Sequence, residues 1–168
     1  ADLIAQVVAN ASDDFANQII GEVTKNSIDE NQALSAKVMK SIVETTPDKV
    51  ENLSDENKET MITQTIEAAK NQAEGTSTDE IDLSNTVAEI VTKSDLGTST
   101  KVLETLNEVS GNSESKLSLN IFSNLTKQEN YEEQIEINSV TSLRFEEGIN
   151  KLTENAVSNA LSEEDLQK

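Results

Sequence analysis

Ser115 beside Lys116 and Ser41 beside Lys40 are places where a serine nucleophile stands next to a lysine that could serve as its base. Neighbouring residues on a helix project in different directions, so neither pair is arranged to share a proton. The chain contains no histidine and no cysteine. That removes Ser-His-Asp triads, thiolate nucleophiles and the usual zinc sites. Carboxylate pairs occur at Asp13-Asp14, Glu132-Glu133, Glu146-Glu147 and Glu163-Glu164, and two carboxylates can divide acid and base roles between them. These pairs sit in polar stretches near expected helix starts, where negative charge complements the helix dipole and stays solvated.

The five glycines are scattered, so no glycine-rich loop is available to cradle a phosphate. Asp79, Glu80 and Asp82 come nearest to a cation-binding loop but lack the glycine and the terminal glutamate of an EF-hand. Weak, non-specific binding of divalent cations is the most they imply. The single arginine, Arg144, lies between Leu143 and Phe145 with Glu147 three residues on. It is expected to anchor an ion pair at a helix packing edge, with contact to a partner as the alternative. Asn10, Asn52 and Asn124 head Asn-x-Ser/Thr triplets, which matter only on a eukaryotic secretory route. The expectation is no catalytic, cofactor-binding or metal-binding residue, no cofactor, and no enzymatic activity.

The bulk composition points the same way. Thirty-two acids against 13 bases give a net charge of −19. Phosphate recognition needs clustered Lys and Arg, so nucleic acid is not an expected partner, and anionic lipid surfaces are excluded on the same ground. No apolar run approaches the roughly 20 residues of a membrane span, so no membrane insertion is expected. Leu, Ile, Val and Phe make up a quarter of the 168 residues, enough for a packed core. Phe15, Phe122, Phe145 and Tyr131 are the only aromatics. Such a core is aliphatic and thin, suited to small layers of helices. The absence of cysteine fits an exported bacterial protein or a low-cysteine cytosolic one.

Helical spacing of apolar residues recurs throughout. Leu3, Ile4, Val7 and Val8 form one stripe, and Ser12 with Asp13 and Asp14 restarts the helix. Phe15, Ile19, Ile20 and Val23 line the next face. Ser27-x-x-Glu30 reads as a capping box before Leu34, Val38, Met39, Ile42 and Val43. Thr46 is expected to cap a short helix with the single proline, Pro47, in its first turn. Ser54-Asp55-Glu56 starts a helix through Met61, Ile62, Ile66 and Ala69, which Gly75 ends. Ser77-x-x-Glu80 is a second capping box before Leu83, Val87, Ile90 and Val91. Ser94-Asp95-Leu96-Gly97 reads as a turn. Val102, Leu103, Leu106 and Val109 make the next face, closed by Gly111, and Leu117, Ile121, Phe122 and Leu125 another. Residues 131–139 read as helix, although Ile135 and Ile137 also alternate as in a strand. A long last helix has Leu143, Ile149, Leu152, Ala156, Val157 and Ala160 inward. Ser162-Glu163-Glu164 reads as one more helix start, which suggests that the chain is a section of a longer helical array.

Phe15, Ile19, Val23, Thr24 and Lys25 overlie Leu83, Val87, Val91, Thr92 and Lys93 at an offset of 68, and Lys37, Val38, Met39 and Ile42 overlie Lys101, Val102, Leu103 and Leu106 at 64. Leu53-Ser54-Asp55-Glu56 resembles Leu161-Ser162-Glu163-Glu164, with Ala11-Ser12-Asp13-Asp14 a weaker copy. Units of about 30 to 45 residues match the size of helical solenoid repeats. The expected fold is all-α, with stacked antiparallel helix pairs in a solenoid-like array; an irregular helical bundle is the alternative. Residues 1–168 are expected to form a single helical domain or a segment of a longer array, with sub-boundaries near 75 and 111.

The segment 42–50, Ile-Val-Glu-Thr-Thr-Pro-Asp-Lys-Val, resembles helix–Pro–helix units in the helical repeat regions of very large exported or surface proteins of marine bacteria, some of which carry a FecR-like domain elsewhere. The resemblance covers roughly the first 110 residues as a pattern of helices; after 111 no second proline or clean unit follows. It implies a structural or adhesive spacer outside the cytoplasm, and no functional residue carries over. The expected function is therefore a structural or protein-interaction segment of a larger exported or surface protein, extracellular, at the cell surface or periplasmic. The partner would be another protein or a further copy. A self-assembling filament or ring subunit is the alternative.

Overall fold

The computed structural model describes residues 1–27, 33–77, 80–111 and 115–167, the side chains through 161. Among them the protein is all-helical, with no strand: α1 (Asp2–Asn10), α2 (Asp13–Asn26), α3 (Leu34–Thr45), α4 (Pro47–Glu51), α5 (Asp55–Ala73), α6 (Leu83–Lys93), α7 (Leu96–Ser110), α8 (Leu117–Thr126), α9 (Tyr131–Thr141) and α10 (Leu143–Gln167).

Most helices bury a narrow apolar stripe, too little to stabilise them alone, so neighbours must complete the burial; α9 buries no residue fully and rests only Tyr131 and Ile135 against the core. The packing forms two rows. In the first, α1 lies against α3, α3 against α6 and α6 against α8. In the second, α2 lies against α5, α5 against α7 and α7 against α10. Ala5, Val8, Ile20, Met39, Ile42, Met61, Ile66, Val87, Ile90, Leu103, Leu106, Leu117, Ile121, Phe145 and Leu152 share one continuous core. Helices within a row run parallel. Lys40 and Glu44 on α3 meet Glu89 and Lys93 on α6 in the same order. Thr24 and Asn17 on α2 likewise meet Gln64 and Asn57 on α5.

The caps explain the boundaries. Every helix of the second row begins on a side chain that accepts from the backbone N–H three residues on. Ser12 accepts from Phe15 at 3.2 Å, Ser54 from Asn57 at 3.2 Å, Asp95 from Thr98 at 3.0 Å and Ser142 from Phe145 at 3.2 Å. These bonds satisfy N–H groups that the first turn leaves unpaired. At the other end of α5, Gly75 takes φ +78°. The Thr76 N–H then reaches the Asn71 carbonyl and the Gly75 N–H that of Gln72, closing a Schellman motif that a β-carbon would strain.

Several expectations are corrected. Ser27 ends α2 and accepts from the backbone N–H of Ser35 at 3.1 Å; Glu30, its expected capping-box partner, lies outside the described residues. Ser77 and Glu80 do not open α6. Asp82 does, accepting from Ser84 and Asn85, because a cap must stand directly before the first helical turn. Thr46 precedes Pro47 as expected but makes no side-chain cap bond. Ser94 and Asp95 alone join α6 to α7, and Gly97 is already helical. α10 runs unbroken through Ser162, Glu163 and Glu164, since a Ser-Glu-Glu sequence also suits a helix interior. The overlay at 68 equates α2 with α6, which stand in different rows, and the overlay at 64 does the same with α3 and α7. Residues 131–139 are helical, as the Tyr131–Ile135 spacing suggested.

Candidate functional site

Several of the residues with chemical potential are committed to structure. Ser41 donates its hydroxyl to Asp2 Oδ1 at 2.8 Å, while Lys40 turns to Glu89 at 3.6 Å. Lys116 occupies the position before α8, next to Ser115. Asp13 receives Lys49 Nζ at 3.2 Å, and the same ammonium donates to the Ala11 carbonyl at 2.7 Å. Asp82 is bound by two backbone N–H groups, and Asp79 lies outside the described residues. Glu132, Glu133, Glu146 and Glu147 are exposed. Arg144 pairs with Glu104 on α7 rather than with Glu147; the packing edge was legible, and the identity of the acid was not. Among the described residues, no three His, Cys, Asp or Glu side chains gather closely enough to hold a metal ion, and no helix is long and apolar enough to cross a membrane. Burial raises the Tyr131 phenol above its ordinary 10.0, and the neighbouring Glu132 carboxylate adds to the rise.

What the sequence did not reveal is a set of polar ties between successive helix pairs. Asn57 Nδ2 donates to the carbonyl and to Oδ1 of Asn17, both at 3.0 Å and 40 residues away. Gln64 donates to the Thr24 carbonyl at 2.9 Å, again 40 residues back, while accepting from the Ser35 hydroxyl at 2.6 Å. Asn107 donates to the Gly148 carbonyl 41 residues on, at 3.0 Å. The Leu119 N–H donates to Asn159 Oδ1 over 40 residues, at 3.2 Å. Gln128 reaches Asn85, and Gln134 reaches the Thr92 carbonyl. An amide side chain can donate and accept at once, so one residue can bind two neighbours. Lys49 on α4 and Gln134 on α9 play one part: each binds a carbonyl at the C-terminal end of a first-row helix, α1 or α6. The signal was a recurrence of Asn and Gln about 40 residues apart, which is hard to see in a chain so rich in polar residues.

A second correction concerns the core. Leu3, Val7, Phe15, Leu143 and Val157 have the spacing of core residues, yet all are exposed, together with Ile137, Val140 and Leu161. Leu3, Val7 and Phe15 border one shallow depression on α1 and α2. Leu143, Val157 and Leu161 lie on the side of α10 opposite Phe145, Ile149 and Leu152. Helical spacing identifies an apolar stripe but does not say which stripe has a helix against it. No protein-family model, curated protein or solved structure matches the chain.

Proposed function

We propose that this chain is a non-enzymatic scaffold, a solenoid-like stack of helix pairs that sets a distance or presents a surface within a larger exported or surface protein. The observation that carries this reading is the series of amide ties at about 40-residue separation, from Asn17–Asn57 to Leu119–Asn159. Amide hydrogen bonds bind α2 to α5, α7 to α10 and α8 to α10, the ion pairs Lys40–Glu89, Lys93–Glu44 and Lys101–Glu59 bind α3 to α6 and α5 to α7, and apolar burial joins them all. Such coupling between neighbours gives a stiff, extensible body whose stability is a sum of local terms. Asp82 and Asp95 cap helices, and Asp13, Glu44, Glu59, Glu89 and Glu104 pair with bases on other helices.

Because the chain has no cysteine, Asp14→Cys and Ser158→Cys place two dyes uniquely on exposed positions of α2 and α10. A spacer gives one narrow inter-dye distance that holds between about 0.1 and 1 M salt, where the Debye length falls from about 10 to 3 Å. A broad or salt-dependent distance would overturn the reading.

A further inference from the structure

We infer that copies of this chain join end to end, the outer face of α1 and α2 in one copy docking on the outer face of α8 and α10 in the next. The inference rests on the scaffold reading. It starts from an internal duplication: α1–α5 and α6–α10 are two versions of one five-helix set. Both place an intermediate helix, α4 of 5 residues or α9 of 11, before a longer last one, α5 of 19 or α10 of 25. Ser27 accepts from the backbone of Ser35 eight residues on, and in the second set Ser110 accepts from the hydroxyl of Ser118, also eight residues on. The N-cap Ser12 of α2 corresponds to the N-cap Asp95 of α7, and the N-cap Ser54 of α5 to Ser142 of α10. Lys49 and Gln134 make equivalent carbonyl contacts.

With the sets aligned on these residues, each exposed apolar residue of the first face has a buried counterpart. Leu3 (73% exposed) corresponds to Thr86 (1%), Val7 (46%) to Ile90 (0%) and Phe15 (52%) to Thr98 (0%). α6 and α7, which carry those counterparts, lie against α3 and α5 of the first set. In the other direction the match is part polar and part apolar. α5 buries Ile62, Ile66 and Ala69, and the residues matching them on α10 are Asn150, Glu154 and Val157, all exposed. Ala73, packed against the core, corresponds to exposed Leu161.

The two outer faces are therefore the two sides of the internal α3/α5–α6/α7 junction. A second copy can repeat that junction between molecules. The pairing is heterologous, so it does not close on itself and adds copy after copy. Asp13 and Asp14 flank one face, Glu146 and Glu147 flank the other, and Glu154 stands within it. Like charge holds copies apart until salt screens it.

The test is sedimentation of the intact chain over a hundredfold concentration range in about 1 M salt, with Val7→Glu and Val157→Glu as variants. Both positions are solvent-facing, and far-ultraviolet dichroism verifies that each variant stays helical. Wild type is expected to show a mass that climbs continuously with concentration. Each variant alone is expected to remain monomeric, because it keeps only one working face. A 1:1 mixture of the two is expected to form a dimer and nothing larger. A wild type that is monomeric throughout overturns the inference, as does a single variant that still self-associates. The inter-dye distance is read on chains diluted below the concentration at which copies join, so the scaffold reading stands or falls separately.

Discussion

Gly148 brings α10 so close to α7 that a β-carbon built on it would lie 3.0 Å from Cβ of Leu103. Leu103 is fully buried, and its Cβ cannot swing aside because it is fixed to the α7 backbone. The same approach lets Asn107 bind the Gly148 carbonyl. Gly148→Ala gains about 1 kcal/mol of helix propensity but forces an overpacked contact costing about 1–3 kcal/mol. The expected net effect is destabilisation, seen as a lower urea midpoint. In the double variant with Leu103→Gly the losses should be less than additive, because the Cβ that the new methyl strikes is gone. A raised midpoint for Gly148→Ala would show that the helices can separate freely.

Asn57 ties α5 to α2 through two bonds to Asn17, whose Oδ1 also accepts from the Ser54 N–H at 3.0 Å. Asn57→Ala should cost about 1–2 kcal/mol in thermal unfolding, the scale of lost, part-buried hydrogen bonds. Asn57→Asp should cost more, since it turns a donor into an anion facing the oxygens of Asn17. Equal stability for the aspartate variant would show that this tie does not join the pairs.

Salt should stabilise this protein. The ion pairs between helices, Lys40–Glu89, Lys93–Glu44 and Lys101–Glu59, are partly exposed, and such pairs contribute about 0–1 kcal/mol each. Against them stands the mutual repulsion of a chain with 32 acids and 13 bases. Screening weakens both effects, and the repulsion is the larger. The melting temperature measured at low protein concentration is expected to rise between about 0.01 and 1 M sodium chloride. A fall would mean that the paired lysines outweigh the excess acid.

Tyr131 is the single tyrosine and the chain has no tryptophan, so phenolate absorbance reports one residue. Its titration midpoint should lie above 10.0, first because burial disfavours the anion and second because Glu132 repels it. The native state thus holds this proton more tightly than the unfolded chain. The resulting contribution is intact below about pH 10 and is lost as pH rises through the native midpoint. Glu132→Gln should lower the midpoint only slightly, leaving the larger burial effect, and Tyr131→Phe should abolish this part of the alkaline loss. A midpoint at or below 10.0 would contradict the burial of the ring.

The all-α class and most helices were legible because 3.6-residue spacing and Ser/Asp starts are local signals. Ser12, Ser54 and Gly75 mark boundaries by the chemistry of a single turn. What the sequence hid depends on neighbours. Leu3 and Val7 look like core residues until the side of α1 that meets α3 is known. The offsets of 68 and 64 joined helices of different rows because amphipathic helices resemble one another. The true correspondence runs through serines such as Ser27 and Ser110, whose role appears only once their bonding partners are placed. Arg144 announced an ion pair, but Glu147, three residues on, lost to Glu104 on the adjacent helix.

The side-chain ties between units reach across only 36 to 49 residues. No distant stretches of chain need to find one another before order can begin. Because topologies rich in near-neighbour contacts fold fast, this chain can zip up progressively from one end. Each newly emerged helix pair would settle on the pair already formed, even while the remainder is still being synthesised or threaded through a narrow passage.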